Sequence, residues 1–252
     1  MVIWDYFMPN HQTLITAIRT ELLNTADARI KGKTQRFFKE DLNCYGCKAA
    51  QTNAIAKKFF PQLKTTCKQE LFELCEELLK SNVFEEMIVS IKWCEKIHKQ
   101  FELKDFDLFE RWIDTYINNW ATCDTFCNHS VGALVTAYPN LLPRLTAWTT
   151  SSNRWMRRAS AVSLIVPAKA GHFLPEIFAL AKALLVDTDD MVQKGYGWML
   201  KEAAHTHEQK VFDFVIAHKK NMPRTALRYA IEKMPQKMRQ QAMAKENYCS
   251  NN

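Results

Sequence analysis

Apolar residues recur at intervals of three and four along most of the chain, the spacing that lines one face of a helix. Leu14, Ile15, Ile18, Leu22 and Leu23 form one such stripe and predict a helix over residues 11–24. Further helices are expected at about 47–60, 68–80, 83–99 and 105–117, interrupted by Pro61, by Ser81-Asn82 and by the charged Lys104-Asp105 region. The stretch from Asp27 to Gly46 is more polar and predicts a short helix and a loop. The acidic run from Glu70 to Glu77 is interleaved with Leu71, Phe72, Leu74 and Cys75, and so reads as the solvated face of an amphipathic helix.

From residue 120 the pattern becomes regular. Second helices of successive pairs are expected near Asp124, Arg154, Asp190 and Arg224, and first helices over about 139–149, 172–186 and 207–219. Pro139, Pro143, Pro175 and Pro223 fall near starts or joints, where a missing N–H costs least. Four charged residues mark the register: Asp124, Arg158, Lys194 and Arg228 follow one another at intervals of 34, 36 and 34 positions. Such a period is the signature of stacked two-helix units, in which equivalent positions line up along one face. Small residues follow the marker positions, Ala159 and Ala161 in one unit and Gly195 and Gly197 in the next, where lack of bulk lets helices approach closely. The expected architecture is an all-α solenoid, one domain over residues 1–252 with a polar tail at about 240–252.

Charge changes what that face is expected to meet. The formal net charge is +7, yet residues 1–126 hold 17 Lys/Arg against 18 Asp/Glu, whereas residues 127–252 hold 17 against 9. A row of cations broken by one carboxylate points to an anionic partner, nucleic acid above all, although solubility or an acidic protein would also account for the excess. With 47% hydrophobic residues, 6 Gly and 8 Pro, the chain fits neither a disordered nor an all-β class. The start Met1-Val2-Ile3-Trp4-Asp5 does not resemble a secretory signal, and no uncharged apolar run reaches the ~18 residues that span a bilayer. A cytoplasmic, membrane-free location and reduced thiols for the eight cysteines are the corresponding expectations. Cys44 and Cys47 have CxxC spacing but no second pair to complete a zinc site, so an ordinary buried turn is expected there; Cys123 and Cys127 are expected to pack inward.

Aromatic residues track the same register. Trp120 lies four before Asp124, Trp155 three before Arg158 and Trp198 four after Lys194, so each pair shares a helix face. A helical Trp is more often core than a ligand platform. Its face can nevertheless pack on a sugar and attract a cation, and Arg can grip a phosphate through two hydrogen bonds. Spacing alone favours a salt bridge between units for Asp124, with Arg158 as one candidate partner.

Three segments carry a family resemblance: Asn119-Trp120-Ala121-Thr122-Cys123-Asp124, Asn153-Arg154-Trp155-Met156-Arg157-Arg158-Ala159, and Val192-Gln193-Lys194-Gly195-Tyr196-Gly197-Trp198-Met199-Leu200-Lys201-Glu202. They resemble the DNA alkylation repair family, the AlkD-like alkylpurine DNA glycosylases. Gln35-Arg36-Phe37-Phe38 and Tyr45-Gly46-Cys47-Lys48 are similar to the family's N-terminal part. The resemblance implies a right-handed α-solenoid of HEAT-like two-helix repeats with a concave basic face for duplex DNA, acting as a monomer. It implies excision of cationic alkylated purines such as N3-methyladenine and N7-methylguanine by hydrolysis of the N-glycosidic bond, without rotating the nucleotide into a pocket. Asp124 then matches the catalytic carboxylate, Arg158 the arginine that secures the lesion-bearing strand, and Trp120 and Trp198 the tryptophans that contact the deoxyribose.

The chemistry is self-consistent. A purine alkylated at N3 or N7 is already cationic and leaves without protonation, so the species needing help is the sugar oxocarbenium ion, and a fixed carboxylate supplies it. No cofactor and no metal is expected. Arg154, Arg157, Lys194, Lys201, Arg224 and Arg228 are candidate phosphate contacts, which position a duplex without reading its sequence. Lys31, Lys33, Arg36, Tyr45 and Lys48 either close over DNA or cap the N-terminal end. A noncatalytic nucleic-acid-binding module and a protein-interaction scaffold remain as alternatives.

Overall fold

The computed structural model describes residues 11–244, and every regular element among them is helical. The contacts divide the chain into two compact units, residues 1–126 and 127–252.

In the first unit, α1 (His11–Asn24), α2 (Ala28–Gln35), α3 (Ala49–Phe59), α4 (Lys68–Lys80), α5 (Phe84–Lys96), α6 (Asp105–Tyr116) and α7 (Trp120–Phe126) follow in order. Helix α5 packs between α3 and α7, while α4 lies against α5 and α6. Two rows result: α3, α5 and α7 form one, and α4 and α6 the other. Phe72, Phe101, Phe109, Trp112 and Phe126 form a contiguous aromatic cluster between the rows, with ring centroids from 5.0 to 6.3 Å apart. Burying such rings stabilises the unit by on the order of 1.5–3 kcal/mol each. Trp93 is also buried, and its indole N–H donates to the Ala56 carbonyl at 2.8 Å, fastening α5 to α3.

The acidic run on α4 is solvated as its pattern implies at Glu70, Glu73 and Glu77, while Glu76 is half-buried. Glu76 accepts from Arg111 at 2.5 Å and from the Tyr116 hydroxyl at 2.8 Å, one in the middle and one at the end of α6. Burial pushes the Glu76 carboxyl up, but these two donors outweigh it and hold it below the ordinary glutamate value.

In the second unit a π-helical turn, Cys127–Val131, leads into α8 (Gly132–Ala137). Then come α9 (Leu142–Trp148), α10 (Arg154–Val162), α11 (Ile165–Lys169), α12 (Leu174–Ala183), α13 (Asp190–His218), α14 (Arg224–Ala230) and α15 (Gln236–Met243). Again two rows form: α10, the part of α13 before His207 and α14 on one side, and α9 and α12 on the other, with Phe178 of α12 stacked on Phe214 from the part of α13 after His207. The expected helix over 207–219 is present: His207, with φ −131° and ψ 42°, is non-helical and kinks α13 into two helices, the second running to His218. That corner is tied by a 3.0 Å hydrogen bond between His207 Nε2 and the Gly171 carbonyl.

The small residues do what their position suggests. A Cβ on Gly197 would lie 2.7 Å from Cβ of Tyr229 and 2.8 Å from the Ala226 carbonyl oxygen, so α13 and α14 touch backbone to backbone. Ala159 and Ala161 are fully buried.

Two expectations need correction. The helix expected to begin near Asp124 begins at Trp120, because Asn119 caps it. The stretch expected as a tail from 240 is helical through Met243, since α15 continues to that residue; residues 245–252 lie outside the described residues. The period also reaches further back than the charged markers. Helices α3, α5, α7, α10, α13 and α14 begin at residues 49, 84, 120, 154, 190 and 224, and their fifth residues are Asn53, Ile88, Asp124, Arg158, Lys194 and Arg228.

Candidate nucleic-acid interface

Asn119 sets up the first part of the site. Buried almost completely, it accepts the Thr122 amide on Oδ1 at 3.0 Å and the Cys123 amide on its carbonyl at 3.1 Å, which starts α7 and fixes the phase of Trp120 and Asp124. Trp120 is half-buried. Its ring stacks on Phe38 with centroids 5.3 Å apart and planes 19° apart, and its N–H donates to the Phe37 carbonyl at 3.2 Å. Phe38 in turn meets Phe84, the first residue of α5, edge to face at 5.6 Å. One turn along α7, Asp124 is 9% exposed.

The loop carrying these phenylalanines is held from beneath by two buried carboxylates. Glu85 accepts the amides of Gly46 and Cys47 on Oε1, at 2.8 and 2.9 Å, and that of Tyr45 on Oε2 at 2.9 Å. Glu86 accepts the Tyr45 hydroxyl at 2.5 Å and Arg19 Nε at 3.0 Å. Burial, and then the bond to Glu86, pushes the Tyr45 phenol well above its ordinary range. Gly46 has φ +97°, and a Cβ there would stand 2.5 Å from the Asp27 carbonyl oxygen, so the turn admits only glycine. Cys44 and Cys47 are both buried, and burial pushes both thiols up. Tyr45 therefore belongs to the clamp, whereas Lys31, Lys33, Arg36 and Lys48 are exposed.

In the second unit, Asn153 caps α10 by accepting the Trp155 amide at 2.9 Å, and Asp189 caps α13 by accepting the Met191 amide at 2.8 Å. Arg158 is 4% exposed, and its Nη1 donates to the Met191 carbonyl. Gly195 makes room for it: a Cβ there would lie 3.3 Å from Arg158 Cγ. Trp155 is 6% exposed and belongs to the core. Trp198 is half-buried, and its N–H donates to Glu202 at 3.0 Å.

The six further cations divide by partner. Arg154 pairs with Asp189 at 2.9 Å. Arg157 reaches Asp187 at 2.6 Å and the carbonyls of Ser151 and Ser152. Lys194 meets Asp190 and Lys201 meets Glu232, each at 3.2 Å. Arg224 and Arg228 are exposed, and neither makes an ion pair with a described residue.

The family model of DNA alkylation repair enzymes covers residues 18–234. The chain belongs to this family. Among solved structures, the predicted DNA alkylation repair enzyme from Enterococcus faecalis is similar in fold, with a TM-score of 0.75 at 18% identity, over 84% of this chain and 98% of that one. No curated protein matches.

One contributor escapes a reading of spacing alone. Phe38 is buried and supports Trp120 from 82 residues away, a separation no local pattern encodes. Asn119, Asn153 and Asp189, by contrast, stand immediately before the marker helices and are visible in sequence as capping residues.

Proposed function

We propose that this member of the DNA alkylation repair family is a glycosylase for cationic alkylated purines in duplex DNA, N3-methyladenine and N7-methylguanine among them, built of HEAT-like two-helix repeats. The observation that supports it most is on α7: a half-buried indole, fixed by Phe38 and the Phe37 carbonyl, stands one turn before a carboxylate. In this reading the bond from C1′ to the purine nitrogen breaks, its electron pair leaves with the purine and cancels the base's positive charge, and the sugar becomes an oxocarbenium ion. Asp124 stabilises that cation and orients the water that adds to C1′ and gives up its proton to solvent, while the faces of Trp120 and Trp198 contribute cation–π attraction of roughly 0.5–2 kcal/mol. Arg158 positions the damaged strand. Arg224 and Arg228 are the most accessible of the cations assigned to phosphates, and Arg154, Arg157, Lys194 and Lys201 contribute after exchanging or sharing their carboxylate partners. The base need not leave the stack, because selectivity comes from the leaving group's charge.

The low exposure of Asp124 favours a second reading, a nucleic-acid-binding module without chemistry. Release of 7-methylguanine or 3-methyladenine from methylated duplex by the wild type and by Asp124→Asn separates the two. A glycosylase releases base, and the variant loses on the order of 10²–10³ in rate, the usual cost of one electrostatic stabiliser, with duplex affinity nearly unchanged. Equal rates would remove Asp124 from the mechanism. Duplex binding without release by either protein would establish the binding module, and absence of binding would leave a protein-interaction scaffold.

A further inference from the structure

The first unit has no excess of positive charge, yet its cations are not evenly spread. Where the C-terminal halves of α3 and α5 lie side by side, a groove of about 480 Å³ is lined by Asn53, Lys57, Lys92, Glu95, Lys96 and His98. Three lysines thus face one glutamate, which takes up part of one of them: Lys92 Nζ is 2.8 Å from Glu95. Lys96 Nζ lies over the Phe60 ring at 5.3 Å. His98 turns Nδ1 toward the Glu95 carbonyl at 3.0 Å, so the carbonyl at that end of α5 is matched by a donor. Lys57 and Lys96 are exposed and Lys92 is half-buried.

Register places this groove on the face that matters. Asn53 is the fifth residue of α3, as Asp124 is of α7, and Lys57 and Lys92 both stand four residues beyond that position on their own helices. Positions i and i+4 share a helix face, so the lysines continue the row to which Asp124 belongs. Neighbouring helices lie about 8–10 Å apart, so α5 stands roughly three base steps of about 3.4 Å from α7, and α3, one helix further, roughly five to six. Cations at those distances from a reacting nucleotide meet phosphates of the flanking duplex.

Resting on the glycosylase reading, we infer that Lys57, Lys92 and Lys96 form a backbone-phosphate cradle that holds duplex DNA a few steps from the nucleotide facing Asp124. Its contribution is independent of sequence and of damage, since phosphates carry neither. An acidic protein surface would be attracted by the same charges but would give no ordered dependence on duplex phosphates.

The test compares binding of an undamaged duplex of fixed length across a salt series by fluorescence anisotropy. Three proteins are measured: wild type, Lys57→Gln/Lys92→Gln/Lys96→Gln, and the charge-matched control Lys64→Gln/Lys80→Gln/Lys99→Gln, whose lysines do not line the groove. Each phosphate released from contact removes about 0.9 from the slope of log K against log salt, so the groove variant, with three contacts removed, should lose about 2.7 in slope while the control stays near wild type. The Lys→Arg triple at the groove positions should keep the wild-type slope, which separates charge from any effect on folding. Equal slopes for groove and control variants would overturn the cradle while leaving the glycosylase reading intact. A wild type that shows no salt-dependent duplex binding would overturn both.

Discussion

Glu85→Gln tests whether the buried carboxylate holds the loop that supports Trp120. The wild-type side chain is 1% exposed and accepts three amides, those of Tyr45, Gly46 and Cys47, at 2.8 to 2.9 Å. A glutamine carbonyl placed at Oε1 keeps two of them without charge assistance, but its NH₂ then faces the Tyr45 N–H, donor against donor. Leaving one buried donor unpaired costs about 1–3 kcal/mol, and weakening the other two bonds about 1 kcal/mol more; relief from burying a charge returns part of this. The net expectation is a loss toward the lower end of that sum, about 2 kcal/mol. For a chain of this size that lowers Tm by several degrees. Because the chain forms two units and need not unfold in one step, hydrogen exchange is the sharper assay: the amides of residues 45–47 should lose protection about 30-fold, the equivalent of 2 kcal/mol. Unchanged exchange at those three amides, with Tm within 1 °C of wild type at roughly the precision of the method, would refute the clamp.

Gly197→Ala and Gly195→Ala gain the same helix propensity, about 1 kcal/mol, so their difference isolates packing. The former places Cβ against Tyr229 and the Ala226 backbone and should be less stable than the latter by about 1–3 kcal/mol in urea unfolding; equal stabilities would contradict the close contact of α13 and α14. Glu76 titrates below its ordinary value in the folded state, so its contribution to stability is complete above the unfolded value of about 4.3 and is lost as pH falls through the folded one. Glu76→Gln should therefore cost most near neutral pH, with the gap to wild type closing toward acid; a gap independent of pH would show that Arg111 and Tyr116 do not stabilise the charge. The loss of base release in Asp124→Asn is the corresponding expectation for the chemistry.

How much of this was legible varies with the range of the interaction. The helices over 11–24 and 68–80 follow from apolar periodicity and appear with those boundaries. The repeat was visible only where its fifth position is charged. In α3 and α5 the same position holds Asn53 and Ile88, which carry no charge to mark the period, so the first unit's share of the row emerges only from helix starts. The ion pairs of Arg154, Arg157 and Lys201 are hidden for a related reason: their partners Asp189, Asp187 and Glu232 lie 35, 30 and 31 residues further on, about one repeat away. Nothing local distinguishes such a cation from one left to solvent. The stacking of Phe38 on Trp120 is still more remote and depends on the turn that Gly46 and Glu85 hold.

Asp189 carries two obligations at once, accepting the first amides of its own helix and the guanidinium of Arg154 from the helix before it. A carboxylate shared in this way makes consecutive modules unequal neighbours. Excising one, or splicing a copy beside it, would leave either an uncapped helix or an arginine facing the wrong chain, so lengthening or shortening this molecule by whole modules requires the junction itself to be rewritten.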